Sequence, residues 1–157
     1  MSKAALKTKN AEETRDLAAG LAEALRPGDV LALSGPLGAG KTVFVQGLAR
    51  GLGMSGVLAT SPTFVILHEY PGRVPLYHFD FYRLERIEEV FGLGYEEFFE
   101  GPGVTAVEWA DKFPDLFGDS ALWVRMEPIS ESERRIEVEA GPGLSGRWTG
   151  IREAFVR

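Results

Sequence analysis

The sequence predicts an α/β fold: a three-layer sandwich whose central sheet is mostly parallel and carries antiparallel hairpin additions. Two short apolar runs, at 30–33 and 104–107, have the length and composition of buried strands. A glycine-rich loop and a helical pattern follow the first run. Later segments alternate between apolar and polar residues around turn signals, which is typical of hairpins.

The glycine-rich loop at 35–42 reads Gly-Pro-Leu-Gly-Ala-Gly-Lys-Thr and matches the phosphate-binding pattern of Gly, four residues, Gly-Lys-Ser/Thr. Its glycines let successive backbone N–H groups point at an anion, and the next helix adds the positive end of its dipole. In this pattern Lys41 reaches the β- and γ-phosphates, and the Thr42 hydroxyl ligates Mg²⁺. The loop therefore predicts nucleotide binding in a P-loop NTPase-like fold.

The flanks of the loop support this interpretation. The preceding apolar run begins after a Pro-Gly-Asp turn at 27–29, as a buried strand would. After the loop, apolar residues recur every fourth position on one face of a helix that we expect to end at Gly53: Phe44, Leu48 and Leu52. Gly47 and Gly51 lie one turn apart on this helix, and we expect them to allow its close approach to the sheet.

The chain before the loop predicts a short edge strand around Leu6 and a helix. Asn10 is the expected N-cap, with Glu13 three residues later as in a capping box. Leucines and alanines line one helix face up to Arg26-Pro27-Gly28, where we expect the helix to end.

Two β-rich segments, 64–67 and 76–83, surround a turn at 71–73 and predict a hairpin. In the second strand His78 and Asp80 share one face, while aromatic residues share the other. A polar face at the end of a strand suits a metal–phosphate site, although a solvated sheet surface gives the same pattern. Neither histidine of the chain has metal-ligand spacing, so a local role is expected for each.

Glu108 follows the apolar run at 104–107 directly. A carboxylate at the carboxyl end of a buried strand holds magnesium in many phosphate-loop enzymes, and ligands gather at that end of such sheets. Glu108 is therefore the expected acidic metal partner, and Asp80 the second candidate, as a ligand or as the group that orients water.

The remaining segments predict two short helices, near 84–91 and 95–99, and a second hairpin formed by 122–126 and 135–139.

Length and composition limit the possible domain organisation, partners and location of the protein. The chain of 157 residues suits a single domain spanning 1–157, and its net charge of -6 argues weakly against holding nucleic acid unaided. With no cysteine, no signal-peptide core and no membrane-length apolar run, we expect a cytoplasmic protein that does not enter a membrane.

Four segments in fixed order resemble the bacterial TsaE family, also called YjeE, of tRNA threonylcarbamoyladenosine biosynthesis. They are the phosphate-binding loop at 35–42, Ser-Pro-Thr-Phe at 61–64, His-Phe-Asp-Phe-Tyr-Arg at 78–83 and Val-Glu-Trp at 107–109. The resemblance implies a small ATPase that uses ATP and Mg²⁺ and works with the proteins TsaB and TsaD. In that family TsaD performs the transfer to the adenosine beside the anticodon, and TsaE hydrolyses ATP to reset the assembly. Contact with tRNA would then be indirect, and activity alone would be weak.

The resemblance also assigns expected roles to residues of this chain. Thr42 and Glu108 would hold magnesium, while Lys41, Thr63, Asp80 and Glu108 would be catalytic. Thr63 and Asp80 would sense the γ-phosphate or position the attacking water. The residues expected to cradle the phosphates are Gly38, Ala39, Gly40, Lys41, Thr42 and Val43. Two departures from the family pattern are Pro36, where an acidic residue is frequent, and Ala110-Asp111 after the tryptophan.

Two alternatives remain open from the residues alone. A small-molecule or nucleoside kinase can have an identical loop, usually with a mobile, arginine-bearing lid over the acceptor. Arg83 and Arg86 could serve there, although no lid segment is evident in the sequence. A nucleotide-gated binding module, in which occupancy rather than hydrolysis matters, is compatible with the same side chains.

Overall fold

The computed structural model describes residues 2–54 and 66–157, and within them one mixed sheet organises the chain. Its strands lie in the order β1-β7-β6-β2-β5-β4-β3. Their bounds are β1 Lys3–Thr8, β2 Val30–Ser34, β3 Leu67–Tyr70, β4 Leu76–Asp80, β5 Val104–Glu108, β6 Ala121–Pro128 and β7 Arg134–Ala140.

The four central strands, β6, β2, β5 and β4, are mutually parallel. Antiparallel strands extend the sheet at both edges. β3 forms a hairpin with β4, and β7 forms one with β6. β1 then pairs with β7, with Lys3 opposite Glu139 and Thr8 opposite Arg134. This arrangement confirms the expected parallel sheet with hairpin additions, including the edge strand around Leu6. The first strand of the β3–β4 hairpin, expected at 64–67, is Leu67–Tyr70, and residues 64 and 65 lie outside the described part of the chain.

Helices cover both faces of the sheet, which completes the three-layer sandwich. The first face carries α1, α2 and α5, and the second carries α3 and α4. None of these helices is long and apolar enough to cross a membrane. Their bounds are α1 Ala11–Ala22, α2 Lys41–Gly51, α3 Ile87–Phe91, α4 Tyr95–Phe99 and α5 Trp148–Val156.

The two faces differ in the side chains that the strands contribute. Successive residues of a strand point to opposite faces, so each strand builds both cores at once. On the first face the buried strand residues are mainly Leu, Val, Ile and Met, packed against the long helices. On the second face β4 supplies Tyr77 and Phe79, and rings from the short helices pack edge-on against them.

Helix α1 begins as expected and ends earlier than expected. The Asn10 side chain accepts a hydrogen bond from the Glu13 backbone N–H at 2.8 Å, which confirms the N-cap. The Glu13 carboxylate accepts from the Lys9 N–H, a variant of the capping box. The helix ends at Ala22 instead of continuing to Arg26, because tighter turns with i→i+3 bonds occupy the next residues.

Gly47 and Gly51 permit a close helix contact, but the partner is α1 and not the expected sheet. A Cβ atom at Gly47 would lie 2.3 Å from the Arg15 carbonyl oxygen, and one at Gly51 would lie 2.6 Å from the Cβ of Ala22. The backbones of α1 and α2 therefore touch through small residues. The core positions predicted for α2 are confirmed, because Phe44, Leu48 and Leu52 are buried.

Candidate functional site

The phosphate-binding loop lies between the carboxyl end of β2 and the first turn of α2. Gly35, Gly38 and Gly40 have φ values of 147°, 80° and 98°, a region that side-chain-bearing residues rarely adopt. Gly35 also lacks room for a side chain, since a Cβ atom there would lie 2.4 Å from the Met126 carbonyl oxygen. The glycine spacing of the motif thus follows from the backbone path of the loop.

Lys41 is the first residue of α2 and its side chain lies inside the loop. Its ammonium donates to the carbonyl oxygens of Gly35 at 2.5 Å and Pro36 at 3.0 Å. The same nitrogen lies 4.0 Å from the centroid of the Trp109 ring, within cation–π distance. Burial lowers the pKa of Lys41, and the negative charge of Glu108 is the largest opposing influence.

Thr42 and Glu108 meet at the edge of the loop. The Thr42 hydroxyl lies 3.3 Å from Oε1 and 3.2 Å from Oε2 of the Glu108 carboxylate, which is itself only 3% exposed as a residue. Both offer oxygen atoms, the ligand type that Mg²⁺ prefers. The donor set therefore fits a magnesium ion held between α2 and the carboxyl end of β5.

Within 2–54 and 66–157, no three Asp, Glu or His side chains cluster closely enough to hold a metal by themselves. Thr42 and Glu108 would supply two ligands, and Mg²⁺ usually takes one or two ligands from the protein and completes its shell with phosphate oxygens and water.

Asp80 ends β4 directly opposite Glu108 in the parallel register. One of its carboxylate oxygens accepts the backbone N–H of Tyr82 at 2.9 Å, which fixes the side chain at the turn after the strand. Burial raises the pKa of Asp80, and the neighbouring Glu108 charge raises it further, against the lowering effect of the Tyr82 N–H. Two carboxylates thus share one end of the sheet beside the ammonium of Lys41.

A cleft of about 560 Å³ connects these groups. It brings together every described residue that the sequence predicted for the site, namely Gly38, Ala39, Gly40, Lys41, Thr42, Val43, Asp80 and Glu108. Tyr82, Arg83 and Trp109, which belong to the motifs but had no assigned role, also line it. Thr63 and the rest of the Ser-Pro-Thr-Phe segment lie outside the described residues, so their expected role stays a prediction.

Trp109 follows Glu108 in an uncommon backbone conformation, with φ of 60°. In this conformation the Trp109 ring lies beside the Lys41 ammonium and also contacts the ring of Tyr82, with 5.0 Å between the two ring centroids. Trp109 therefore lines the site.

Sequence reasoning missed Arg134, the first residue of β7. One guanidinium nitrogen donates to the Gly38 carbonyl oxygen at 3.0 Å, and the other binds backbone carbonyls at the β6–β7 hairpin tip. The hairpin thereby delivers a cation to the wall of the phosphate loop. No local motif marks this residue, because 96 positions separate it from its partner in the chain.

Sequence reasoning also missed the partner of His78. Its Nε2 atom lies 2.6 Å from Oε2 of Glu108, and the ring is completely buried. The polar face of β4 is therefore not a solvated surface, the alternative that the sequence left open.

Comparison with known proteins identifies a family. The model of the family "Threonylcarbamoyl adenosine biosynthesis protein TsaE" matches residues 8–136. A protein of Bacillus subtilis strain 168 named tRNA threonylcarbamoyladenosine biosynthesis protein TsaE is 44% identical over 135 residues, covering 85% of this chain and 84% of its own. The Treponema pallidum protein of the same name is 37% identical over 131 residues, with 83% and 96% of the two chains covered.

The fold has a close counterpart among solved structures. The crystal structure of Bacillus subtilis YdiB superimposes with a TM-score of 0.80 at 36% sequence identity, covering 99% of this chain and 95% of that chain. The similarity thus extends beyond the motifs to nearly the whole chain.

Proposed function

Because the chain belongs to the family of threonylcarbamoyl adenosine biosynthesis protein TsaE, we propose that it is an Mg²⁺-dependent ATPase of tRNA threonylcarbamoyladenosine biosynthesis. It would bind ATP, hydrolyse it to ADP and phosphate, and act with TsaB and TsaD to reset the modifying assembly between turnovers. Its link to tRNA is then indirect, through that assembly.

The contact between Thr42 and Glu108 carries this proposal. It places a hydroxyl and a carboxylate within 3.3 Å of each other, directly beside a loop shaped for phosphate. Since the two residues come from α2 and β5, 66 positions apart, their meeting is a property of the fold and not of one local motif. Lys41 supplies the nearby positive charge that a triphosphate needs.

Different residues of the chain have different roles in the proposed hydrolysis. Backbone N–H groups at 38–43 bind the phosphates, and Lys41 exchanges its loop carbonyl partners for phosphate oxygens. A bound magnesium ion would neutralise developing charge on the phosphates, held by Thr42 and Glu108. Asp80 and Thr63 are the proposed groups that orient the attacking water. Positioning and charge stabilisation, rather than covalent chemistry, would thus account for the rate.

ATP turnover by the purified chain, alone and with TsaB plus TsaD, tests the proposal. We expect low turnover alone and a clear increase with the partners. Lys41→Ala removes the phosphate-binding cation and should reduce the stimulated rate by about 10²-fold or more. Glu108→Gln should also impair partner-dependent turnover and raise the Mg²⁺ concentration it requires.

A matched control for the carboxylate is Glu127→Gln, on the exposed end of β6, which should behave as the parent protein. Full stimulated turnover by Glu108→Gln would contradict the metal assignment, and normal turnover by Lys41→Ala would contradict the phosphate-loop assignment. ATP consumption that requires a small hydroxylated acceptor instead of the partner proteins would identify a kinase. Tight ATP binding without turnover under any of these conditions would identify a nucleotide-gated binding module.

A further inference from the structure

A buried histidine lies behind the proposed magnesium ligand. Nε2 of His78 lies 2.6 Å from Oε2 of Glu108, and the side chains of both residues are almost completely enclosed. We propose that His78 is a positioning residue, which holds the Glu108 carboxylate in the orientation that meets Thr42 and the metal ion. This inference rests on the proposed function, because it concerns the same carboxylate.

The contacts of Glu108 come from two different elements. His78 in β4 holds one carboxylate oxygen from within the sheet, while the Thr42 hydroxyl in α2 approaches both oxygens from the side of the loop. A glutamate side chain has three rotatable bonds, and a single weak contact would leave several orientations accessible. The short hydrogen bond from His78 restricts that freedom through Oε2, while Oε1 lies 3.3 Å from the Thr42 hydroxyl. Carboxylate ligands of metals are commonly oriented by such a hydrogen bond.

The strand register explains how the ring reaches the carboxylate. β4 and β5 are parallel, with His78 opposite Ala106 and Asp80 opposite Glu108. His78 and Glu108 therefore lie on the same face, one residue pair apart along the strands. The small side chain of Ala106 occupies the position directly opposite His78. We infer that this leaves the imidazole space to extend along the strand toward Glu108.

The other ring nitrogen argues against a purely structural histidine. Nδ1 of His78 is buried, and it has no hydrogen-bond partner among the described residues. Buried polar atoms in folded proteins are nearly always paired, since an unpaired one loses its hydration without compensation. An apolar ring would fill this space without that penalty. The single satisfied nitrogen, directed at Glu108, is thus the feature that distinguishes histidine from phenylalanine at this position.

Manganese binding in the presence of ADP tests the proposal without relying on catalysis. Mn²⁺ replaces Mg²⁺ as a spectroscopic probe, and electron paramagnetic resonance measures the free ion during titration. His78→Phe keeps the ring but removes the donor, and we expect it to weaken Mn²⁺ binding about 10- to 100-fold. His78→Gln, whose amide nitrogen can take the place of Nε2, should recover affinity to within about threefold of the parent. ADP binding without metal should stay within about twofold for both variants.

His68→Phe is the matched control. His68 lies directly opposite His78 in the β3–β4 hairpin, and its Nδ1 atom bonds to the Tyr70 hydroxyl. This variant should leave Mn²⁺ affinity unchanged. Thermal unfolding of each variant verifies that it is folded. If His78→Phe does not fold, His78→Asn takes its place, because its amide is too short to reach Glu108. Asn and Gln carry the same amide group, so a difference in Mn²⁺ affinity between these two variants then reports the contact with Glu108.

A double-mutant cycle with Glu108→Ala separates the two proposals. If His78 acts through Glu108, adding His78→Phe to Glu108→Ala should cause no further loss of Mn²⁺ affinity. If Glu108→Ala weakens the metal but folded His78→Phe binds it as the parent does, the positioning role is wrong and the metal assignment stands. If Glu108→Ala itself leaves Mn²⁺ binding unchanged, the proposed metal site is wrong. Equal losses for His78→Phe and His78→Gln would also overturn the inference.

Discussion

The two faces of the sheet use the same strands for different purposes. The first face packs aliphatic side chains under the long helices α1, α2 and α5, and it carries His78, Asp80 and Glu108 at the carboxyl ends of its strands. The second face packs a network of rings between the strands and the short helices α3 and α4. Within this network, the ring of Phe79 makes edge-on contacts with three other rings, those of Phe81, Phe98 and Phe99.

The difference shows how a strand can anchor a polar site. In β4 the residues alternate: Asp80 lines the cleft and His78 is buried on the same face behind Glu108, while Tyr77 and Phe79 are buried on the other face. Aromatic rings bury a large area and favour edge-on geometry. Their packing on the second face therefore holds β4 in place. The polar residues can then hold defined positions although they contribute little hydrophobic stabilisation themselves.

Removing a ring from the second face should produce the largest effect on stability. Phe79→Ala deletes a fully buried side chain and its edge-on contacts, and we expect a loss of about 3–5 kcal/mol in the free energy of unfolding. Urea denaturation measures this loss. ADP affinity of the folded fraction should change by less than about threefold. Phe79→Leu, which keeps most of the apolar volume, should lose less than half as much stability.

A large loss of ADP affinity in folded Phe79→Ala would show that the rings of the second face affect nucleotide binding as well as stability. The anchoring role of the rings would then include the exact placement of the polar side chains of β4.

On the first face, close helix packing should produce the next largest effect. Gly47→Ala places a Cβ atom 2.3 Å from the Arg15 carbonyl oxygen, so α1 and α2 must separate, and we expect a loss of about 1–3 kcal/mol. Gly150→Ala in α5 is the matched control. Nothing lies within 4 Å of a Cβ atom there, so the better helix propensity of alanine should increase stability by up to about 1 kcal/mol. Urea unfolding of both variants should give opposite signs, and the same sign for both would contradict the packing explanation.

The smallest effect concerns the charge at the functional end of the sheet. Because burial raises the pKa of Asp80, the folded protein holds this proton more tightly than the unfolded chain does. The resulting stabilisation is complete below the pKa of the unfolded chain and is lost as the pH rises through the higher pKa of the folded protein. At neutral pH the wild-type protein therefore keeps a charge that its surroundings disfavour.

Asp80→Asn keeps an oxygen for the Tyr82 N–H and removes that charge. We expect it to be more stable than the wild-type protein at pH 7 by at most about 1 kcal/mol, with the difference shrinking toward pH 4. Urea unfolding at several pH values measures this. Asp115→Asn, at an exposed position, should change stability little at any of them. If the stability gained by Asp80→Asn increased as the pH fell, the assignment of a raised pKa to Asp80 would be contradicted.

Local patterns predicted most of the fold. The Asn10 cap, the strand before the phosphate loop and the short helix at 95–99 each depend on neighbouring residues, and each was found. Apart from the C-terminal end of α1, the predictions that failed concern partners distant in the chain. Gly47 signals a close approach, but nothing in its own helix says whether a sheet or a second helix approaches.

The same limit applies to the candidate site. Lys41, Thr42 and Glu108 could be placed together because their motifs carry positional meaning. The hydrogen bond from His78 depends on the register of two strands, and the contact of Arg134 with Gly38 depends on where a hairpin tip lies. Neither is encoded in local spacing, so only the folded structure reveals them.

The pairing of β1 with β7 has a consequence for how the chain folds. Lys3 lies opposite Glu139, so forming this part of the sheet closes a loop that includes nearly every other element. Contacts between such distant residues form late, because chain entropy opposes them until intervening structure has shortened the effective path. Until β1 docks, β7 is an unpaired edge open to strands of other molecules. Substitutions that weaken β1 are therefore expected to promote aggregation during refolding more strongly than they reduce the stability of the folded protein.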